Sequence, residues 1–293
     1  MSVVQGNILR IGNKRIKKVA FSRVCSCILL LAYLFLLLLP IIYVILNAFK
    51  PLDEMFVYPP RWLPRRFTLT NFSQMSELLS ETVIPLSRYI YNSILYCVLM
   101  VGIVVTSSFM AAFSMSKTRP RGAEKMTGVL IFALSLSGPA AGVANFVIIE
   151  KLGLLDTYWA LILPAMGSAT YVFLMRQFLV SMPDSYIEAA RLDGANEWQI
   201  MWKIGFPYAK PAWATIIVYQ FMAAWSDSAG PAIYIADASK QTLPVAIATI
   251  GGSLTTQGAS AALTLLMLIP STVVFVLMQA KIVTTMSFAG LKD

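Results

Sequence analysis

Residues 24–49 read VCSCILLLAYLFLLLLPIIYVILNAF, 26 positions without a charge between Arg23 and Lys50. About 20 apolar residues in a helix cross a hydrocarbon core roughly 30 Å thick, so this stretch spans a membrane with length to spare. It is too long for the apolar core of a cleaved secretory signal, about 7–15 residues, and bulky side chains rather than an Ala-x-Ala site follow it. Pro40 predicts a kink within the span.

Five further apolar runs follow. Arg88 to Lys117 encloses 28 uncharged residues, Lys125 to Glu150 encloses 24, and Asp156 to Arg176 encloses 19. Pro211 to Ser226 holds only 16 residues, and Ala259 to Ala280 holds 22. The expected fold class is therefore all-α, a polytopic membrane protein with six transmembrane helices. The fifth run is short and needs help from its flanks: Lys210 to snorkel at one end, Asp227 to meet water at the other. The whole chain agrees. Of its 293 residues 58% are hydrophobic and 13% charged, with mean hydropathy +0.71. A soluble domain carries about 25% charged residues, which excludes an ordinary soluble enzyme, a disordered chain and a coiled coil.

Basic residues give the orientation. With the N-terminus inside, the cytoplasmic segments hold 16 Lys and Arg and the outer ones hold 7, so both termini are expected in the cytoplasm. The net charge of +9 then follows from topology and calls for no nucleic acid. Residues 1–23 read as a basic cytoplasmic tail and 24–293 as the transmembrane domain. The chain has no His and three Cys. His-dependent catalysis, His-based zinc sites and a disulfide framework have no residues to build them. Cys25, Cys27 and Cys97 read as small buried apolar side chains.

Two segments between spans exceed simple connectors. Residues 51–87, outside, are rich in Pro and aromatics and read as a short interfacial or capping structure or, more plainly, as a connector that merely covers the outer face. Inside, Met182 to Pro211 reads as two helices. Ser185-Tyr-Ile-Glu188 has the capping-box pattern, Gly194 is placed to end the first helix with positive φ, and Asn196-Glu-Trp-Gln199 opens the second, which Pro207 closes. Ala189 and Ala190 let a surface approach, and Glu188 offers it a carboxylate. A pair of passive interfacial helices would carry more Lys and Arg toward the headgroups; the acidity of Glu188, Asp193 and Glu197 favours a docking protein.

Glu188-Ala-Ala-Arg-Leu-Asp193-Gly194-Ala195, with Ile204 and Pro207 beyond it, resembles the EAA motif of binding-protein-dependent ABC importer permeases. Leu152-Gly-Leu-Leu-Asp-Thr-Tyr-Trp-Ala-Leu-Ile-Leu-Pro164, Arg176-Gln-Phe178, Thr242-Leu-Pro244 and Phe288-Ala-Gly290-Leu-Lys292 place the resemblance in the carbohydrate-uptake branch. It covers nearly all of residues 24–293. Trp225-Ser226-Asp227 departs from the branch's usual Trp-Asn-Asp, and the chain ends in Lys-Asp rather than Lys-Gly.

The resemblance implies a type I ABC importer permease fold in a bacterial or archaeal cytoplasmic (inner) membrane, with coupling helices at about 184–207. It implies a second, non-identical permease subunit, two ATP-binding subunits, an extracytoplasmic solute-binding protein and a sugar or oligosaccharide cargo. Glu188, Ala189, Ala190, Asp193, Gly194 and Pro207 would contact the ATPase, as would the tail at Gly290 and Lys292. ATP would be bound by the partner alone: the chain has no Gly-x-x-x-x-Gly-Lys-Ser/Thr, no cofactor and no metal is expected in it, and it is expected not to be an enzyme. For the substrate pathway, Tyr171, Gln220, Trp225 and Asp227 combine aromatic faces with polar groups. Interhelical hydrogen bonding is the plainer alternative for each. A permease for a polyol or glycerol phosphate is the alternative within the family, and a non-transporting membrane scaffold the alternative outside it.

Overall fold

The computed structural model describes residues 2–59, 61–81, 84–135, 139–250 and 256–289, and among these every regular element is helical. The first helix, α1 (Ser2–Ala48), joins the basic tail to the first span, and Pro40 lies inside it without ending it. From Val24 to Leu38 its side chains are exposed, Cys25 and Cys27 among them. The expectation that these two are buried fails, because among the described residues nothing covers this part of α1. A bare apolar helix surface of this kind suits lipid or another subunit.

The segment after α1 is ordered by side chains that satisfy the helix end. The short α2 (Leu52–Met55) and the longer α3 (Thr70–Glu81) fold back over it. Asn71 on α3 is 1% exposed. Its Nδ2 donates to Ala48 O at 2.9 Å and Lys50 O at 2.8 Å, closing carbonyls that α1 leaves open. Buried Lys50 donates to Arg61 O at 2.6 Å, and Glu54 accepts from the Arg65 backbone at 2.8 Å. Within residues 51–81, α3 thus caps the end of α1 through Asn71.

The centre of the molecule is α4 (Leu86–Phe113), continued by a π-helical turn at Ser114–Thr118. After it come α5 (Ala123–Ser135), α6 (Pro139–Lys151), α7 (Trp159–Met166) and α8 (Ala169–Val180). The cytoplasmic-side segment expected between spans four and five forms α9 (Ser185–Leu192), α10 (Glu197–Ile200), a π-helical turn at Met201–Gly205 and α11 (Phe206–Tyr208). Then follow α12 (Lys210–Ser226), α13 (Ala229–Tyr234), α14 (Leu243–Ile250) and α15 (Gln257–Ala289). Helix α4 packs on α7, α8 and α12, and α12 packs in turn on α15. Ala112, Ala212 and Ala214 are fully buried, the small residues that let membrane helices approach closely.

Among the described residues, three helical stretches are long and apolar enough to cross a membrane: Val24–Ala48, Leu86–Thr118 and Gln257–Ala280. The fourth run is not the single helix expected. α7 and α8 meet at 44°, because Pro164 lies in the last turns of α7 and Ser168 adopts extended backbone at ψ 108°. The third run divides into α5 and α6 on either side of residues outside the described set. The fifth is α12, 17 residues, preceded by a break at Ala209. At 1.5 Å per residue α12 reaches about 25 Å. Its start is braced by α11: the Phe206 and Trp213 rings stack at 5.6 Å, and Trp213 Nε1 donates to Phe206 O. Phe109 and Phe113 of α4 join the same aromatic group through Trp202 and Phe206.

Candidate coupling surface and pathway

Helix α9 begins one residue earlier than the capping-box pattern predicts. Asp184 occupies the N-cap position, and no side chain caps the helix. The Asp184 carboxylate is taken elsewhere: Lys117 Nζ donates to it at 2.7 Å and Arg119 lies at 3.4 Å. The Lys117 hydrogen bond and charge, with Arg119 behind them, hold the Asp184 carboxyl below its usual range. Lys117 also donates to Met182 O. The π-turn after α4 is thereby tied to the root of α9.

The turn between α9 and α10 follows the sequence closely. Gly194 has φ +82°, a conformation that favours glycine. Asn196 and Gln199 form a complete capping box: the Asn196 side chain accepts from the Gln199 backbone at 2.8 Å, and Gln199 Oε1 accepts from the Asn196 N–H at 3.0 Å. Arg191 reaches across the turn to Glu197 at 2.8 Å, and that hydrogen bond raises the guanidinium further above its ordinary pKa.

Of the residues expected at a docking face, Glu188, Ala189, Asp193, Gly194 and Pro207 are exposed. Ala190 is not: it is 7% exposed and sits in the core with Ile187 and Ile200. A face periodicity explains this, since Ile187 and Ala190 are three apart on one side of α9 while Glu188 and Ala189 lie on the other. Pro207 does not close the second helix. It stands at the start of α11, where its missing N–H costs least, and the chain breaks at Ala209 instead. Sequence reasoning missed the apolar part of the surface. Tyr186, Leu192 and Trp198 are 55%, 89% and 60% exposed, large side chains in water on a segment rich in charge. Gly290 and Lys292 lie outside the described residues.

The pathway candidates divide. Gln220, Trp225 and Asp227 lie on or at the end of α12, and Tyr171 lies near the start of α8, which packs against α12. Tyr171 is half-buried and Gln220 is 5% exposed. Trp225 is 2% exposed, stacks on Phe221 at 5.7 Å and donates through Nε1 to Met267 O of α15 at 2.9 Å. Its ring and its only donor are both engaged in packing α12 on α15. Asp227 ends α12, partly buried, and accepts from the Gly230 backbone at 3.0 Å. A Cβ on Gly230 would stand 2.4 Å from the Asp227 carboxylate, so any larger residue there must displace that carboxylate.

On the opposite side from α9, the loop signature around Asp156 forms a latch. Asp156 has φ +63°, and its Oδ1 accepts from the Asp237 backbone at 2.8 Å. Lys240 Nζ donates to Asp156 Oδ2 at 2.8 Å and lies 3.5 Å from Asp237. Tyr158 donates to Lys240 O at 2.9 Å. Asn92 at the start of α4 donates to Ser239 O and Gln241 O, and Ser93 accepts from the Leu243 backbone. Three chain segments thus close on one another at this end of the bundle. The hydrogen bond from Lys240 is the main cause that lowers the Asp156 pKa, and its counterpart raises that of Lys240. Sequence spacing gives no hint that Asp156 and Lys240, 84 residues apart, are partners.

The chain is similar to known transport proteins. It is 30% identical over 217 residues to the inner membrane ABC transporter permease protein YcjP of Escherichia coli (strain K12), covering 73% of this chain and 76% of the other. It is 29% identical over 231 residues to the polygalacturonan/rhamnogalacturonan transport system permease protein YtcP of Bacillus subtilis (strain 168), covering 75% of each. Among solved structures, a chain of a bacterial ABC transporter involved in the import of the acidic polysaccharide alginate superposes with TM-score 0.75 at 25% identity, over 88% of this chain and 95% of that one. Residues 11–283 match the family described as binding-protein-dependent transport system inner membrane component. An all-α bundle of the type I importer permease fold, with an EAA-type turn held at Gly194, belongs to that family.

Proposed function

We propose that this chain is one of two membrane subunits that together form the pathway of an ATP-driven importer for a sugar or oligosaccharide. It crosses the cytoplasmic membrane six times with both termini inside, and α9–α11 receive the motion of an ATP-hydrolysing partner. The observation that carries this reading is the exposed surface of α9 and α10: Glu188, Tyr186, Leu192 and Trp198 are all exposed, on a turn fixed by Gly194 and the Asn196 capping box. A short segment that exposes a carboxylate together with large apolar side chains suits a protein cleft better than a lipid surface. Gly290 and Lys292 extend the same contact.

Tyr171, Gln220 and Asp227 face the cargo route; Trp225 supports it from behind. An extracytoplasmic binding protein delivers the cargo to the end of the bundle that carries the Asp156–Lys240 latch. The sugar reading is supported by the named cargo of the similar permease YtcP and of the alginate importer.

The test is a pull-down of the tagged chain from native membranes. Recovery of a second permease, an ATPase subunit and a binding protein carrying a glycan supports the proposal. A binding protein loaded with a polyol or glycerol phosphate overturns the sugar assignment. Glu188→Lys should leave the chain in the membrane and weaken ATPase recovery by about tenfold or more; unchanged recovery and uptake overturn the coupling role.

A further inference from the structure

The face of the bundle that carries α9 also holds a cavity of about 710 Å³, between the π-turn after α4, the first turn of α5 and the last turn of α8. Three cations line it: Arg119, Lys125 and Arg176. Arg119 is engaged, donating to Ser116 O and reaching Asp184. Arg176 is different. Its Nε is shut off from solvent and has no hydrogen-bond partner among the described residues. Nε itself is beyond an occupant's reach, but the side chain is half-buried and lines the cavity, where an anion could accept from its outer N–H groups.

The surroundings say which anion. Glu124 lines the cavity beside Lys125, so the site is not a plain cationic bowl; it offers an acceptor for hydroxyl groups next to donors for a phosphate. Immediately along α5, Met126, Val129 and Phe132 are 54%, 67% and 65% exposed, an apolar strip at helical spacing leading away from the cavity. Charge at the mouth and an apolar track beside it match a headgroup with its chains. We infer that this cavity binds a phosphate carrying a glycerol group, supplied by an anionic phospholipid of the inner leaflet. Because Arg119 shares Asp184 with Lys117, an occupant that draws Arg119 inward changes the hold on the root of α9. The site would thereby make coupling sensitive to lipid composition. Calling this leaflet the inner one rests on the orientation proposed above.

The experiment uses the assembled transporter in phosphatidylcholine nanodiscs with or without phosphatidylglycerol, and counts retained lipid by native mass spectrometry. The expected result is retained phosphatidylglycerol that falls about tenfold in affinity with Lys125→Gln, the loss of one charge-assisted hydrogen bond. Arg176→Lys, which keeps the charge while losing the fork, should weaken retention too, and exposed Arg121→Gln should not. Equal retention in Lys125→Gln, Arg176→Lys and the parent overturns the site. Displacement of the lipid by millimolar inorganic phosphate keeps the phosphate site and overturns its lipid source. None of these readings uses cargo or ATP turnover, so their failure leaves the import function standing, and a failed pull-down leaves the lipid count interpretable.

Discussion

Lys117 Nζ donates to Asp184 Oδ1 across 2.7 Å, with the lysine side chain 2% exposed and the aspartate half in water. A buried ammonium of this kind persists only because its hydrogen bonds are satisfied, here by Asp184 and the Met182 carbonyl. It joins the π-turn at the end of α4 to the start of α9, the segment proposed above to receive the motion of an ATPase. Lys117→Met keeps the apolar stem and removes both donations. We expect about 1–3 kcal/mol of lost stability from the unsatisfied carbonyl. We also expect ATP hydrolysis to continue while cargo uptake falls. Uptake and hydrolysis measured together in proteoliposomes check this; an unchanged ratio removes the latch from the coupling route.

The Asp156–Lys240 latch gives a pH prediction with a definite sign. Asp156 and Asp237 titrate below their ordinary 3.8, so their contribution is present above that value and lost as pH falls through the lower folded one. Lys240 titrates above its ordinary 10.5, so its contribution is present below 10.5 and lost as pH rises through the higher folded value. The stability difference between the parent and Lys240→Met should therefore be flat from about pH 5 to 9 and should shrink below about pH 4. These groups are partly exposed, so added salt should narrow the difference as well. Thermal midpoints of the purified complex across pH supply the check. A difference that changes between pH 5 and 9 would mean another titrating group controls this end of the bundle.

How far the sequence alone reaches can be followed residue by residue. Gly194 and the Asn196–Gln199 box were readable because each acts within a few positions: a positive φ needs glycine, and a cap needs its N3 partner. The long runs at 24–49 and 89–116 were readable because length and lack of charge suffice for a span. The capping box at Ser185 failed because a distant cation, Lys117, recruits the preceding Asp184, and local pattern cannot see that pairing. Ala190 was misplaced for the same reason, since which side of α9 faces the core depends on the cluster it joins with Ile200. The break at Gly167–Ser168 was present in the letters, Pro164 with Gly167 three residues on, but hidden inside a run whose hydropathy alone suggested one helix. Trp225 and the Asp156–Lys240 pair depend on which helices become neighbours, and one sequence without its fold does not specify that.

Trp225 separates a packing role from a cargo role. Its Nε1 serves Met267 O, and its ring lies against Phe221 at an interplanar angle of 9°. Trp225→Phe retains an aromatic ring and loses the donor. The expected cost is about 1 kcal/mol, near the average for a hydrogen bond between membrane helices. The apparent KM for cargo should stay the same while the thermal midpoint drops. A raised KM with an unchanged midpoint would place the indole on the cargo route. Asp227→Asn is the contrasting variant: its carboxylate is partly exposed at the end of α12, and here a change in KM is expected.

The last prediction concerns the corner where α1, α3 and α15 meet. Gly258, in the first turn of α15, lies so close to α3 that an added Cβ would stand 2.3 Å from Asn71 Oδ1 and 3.0 Å from its Cγ. Asn71 cannot swing aside freely, because its amide nitrogen closes the carbonyls of Ala48 and Lys50 at the end of α1. Gly258→Ala must therefore either push α15 outward or pull Asn71 off those carbonyls, and either route should cost about 1–3 kcal/mol. Gly102→Ala, in the middle of α4 with nothing within 4 Å of the new methyl, is the matched control. It should be neutral or stabilising by up to about 1 kcal/mol, since alanine holds a helix better than glycine. If the two variants unfold at the same temperature, the Asn71 cap does not hold this corner. If Asn71→Ala placed under Gly258→Ala restores the midpoint toward that of Asn71→Ala alone, the clash acts through the cap, as the geometry requires.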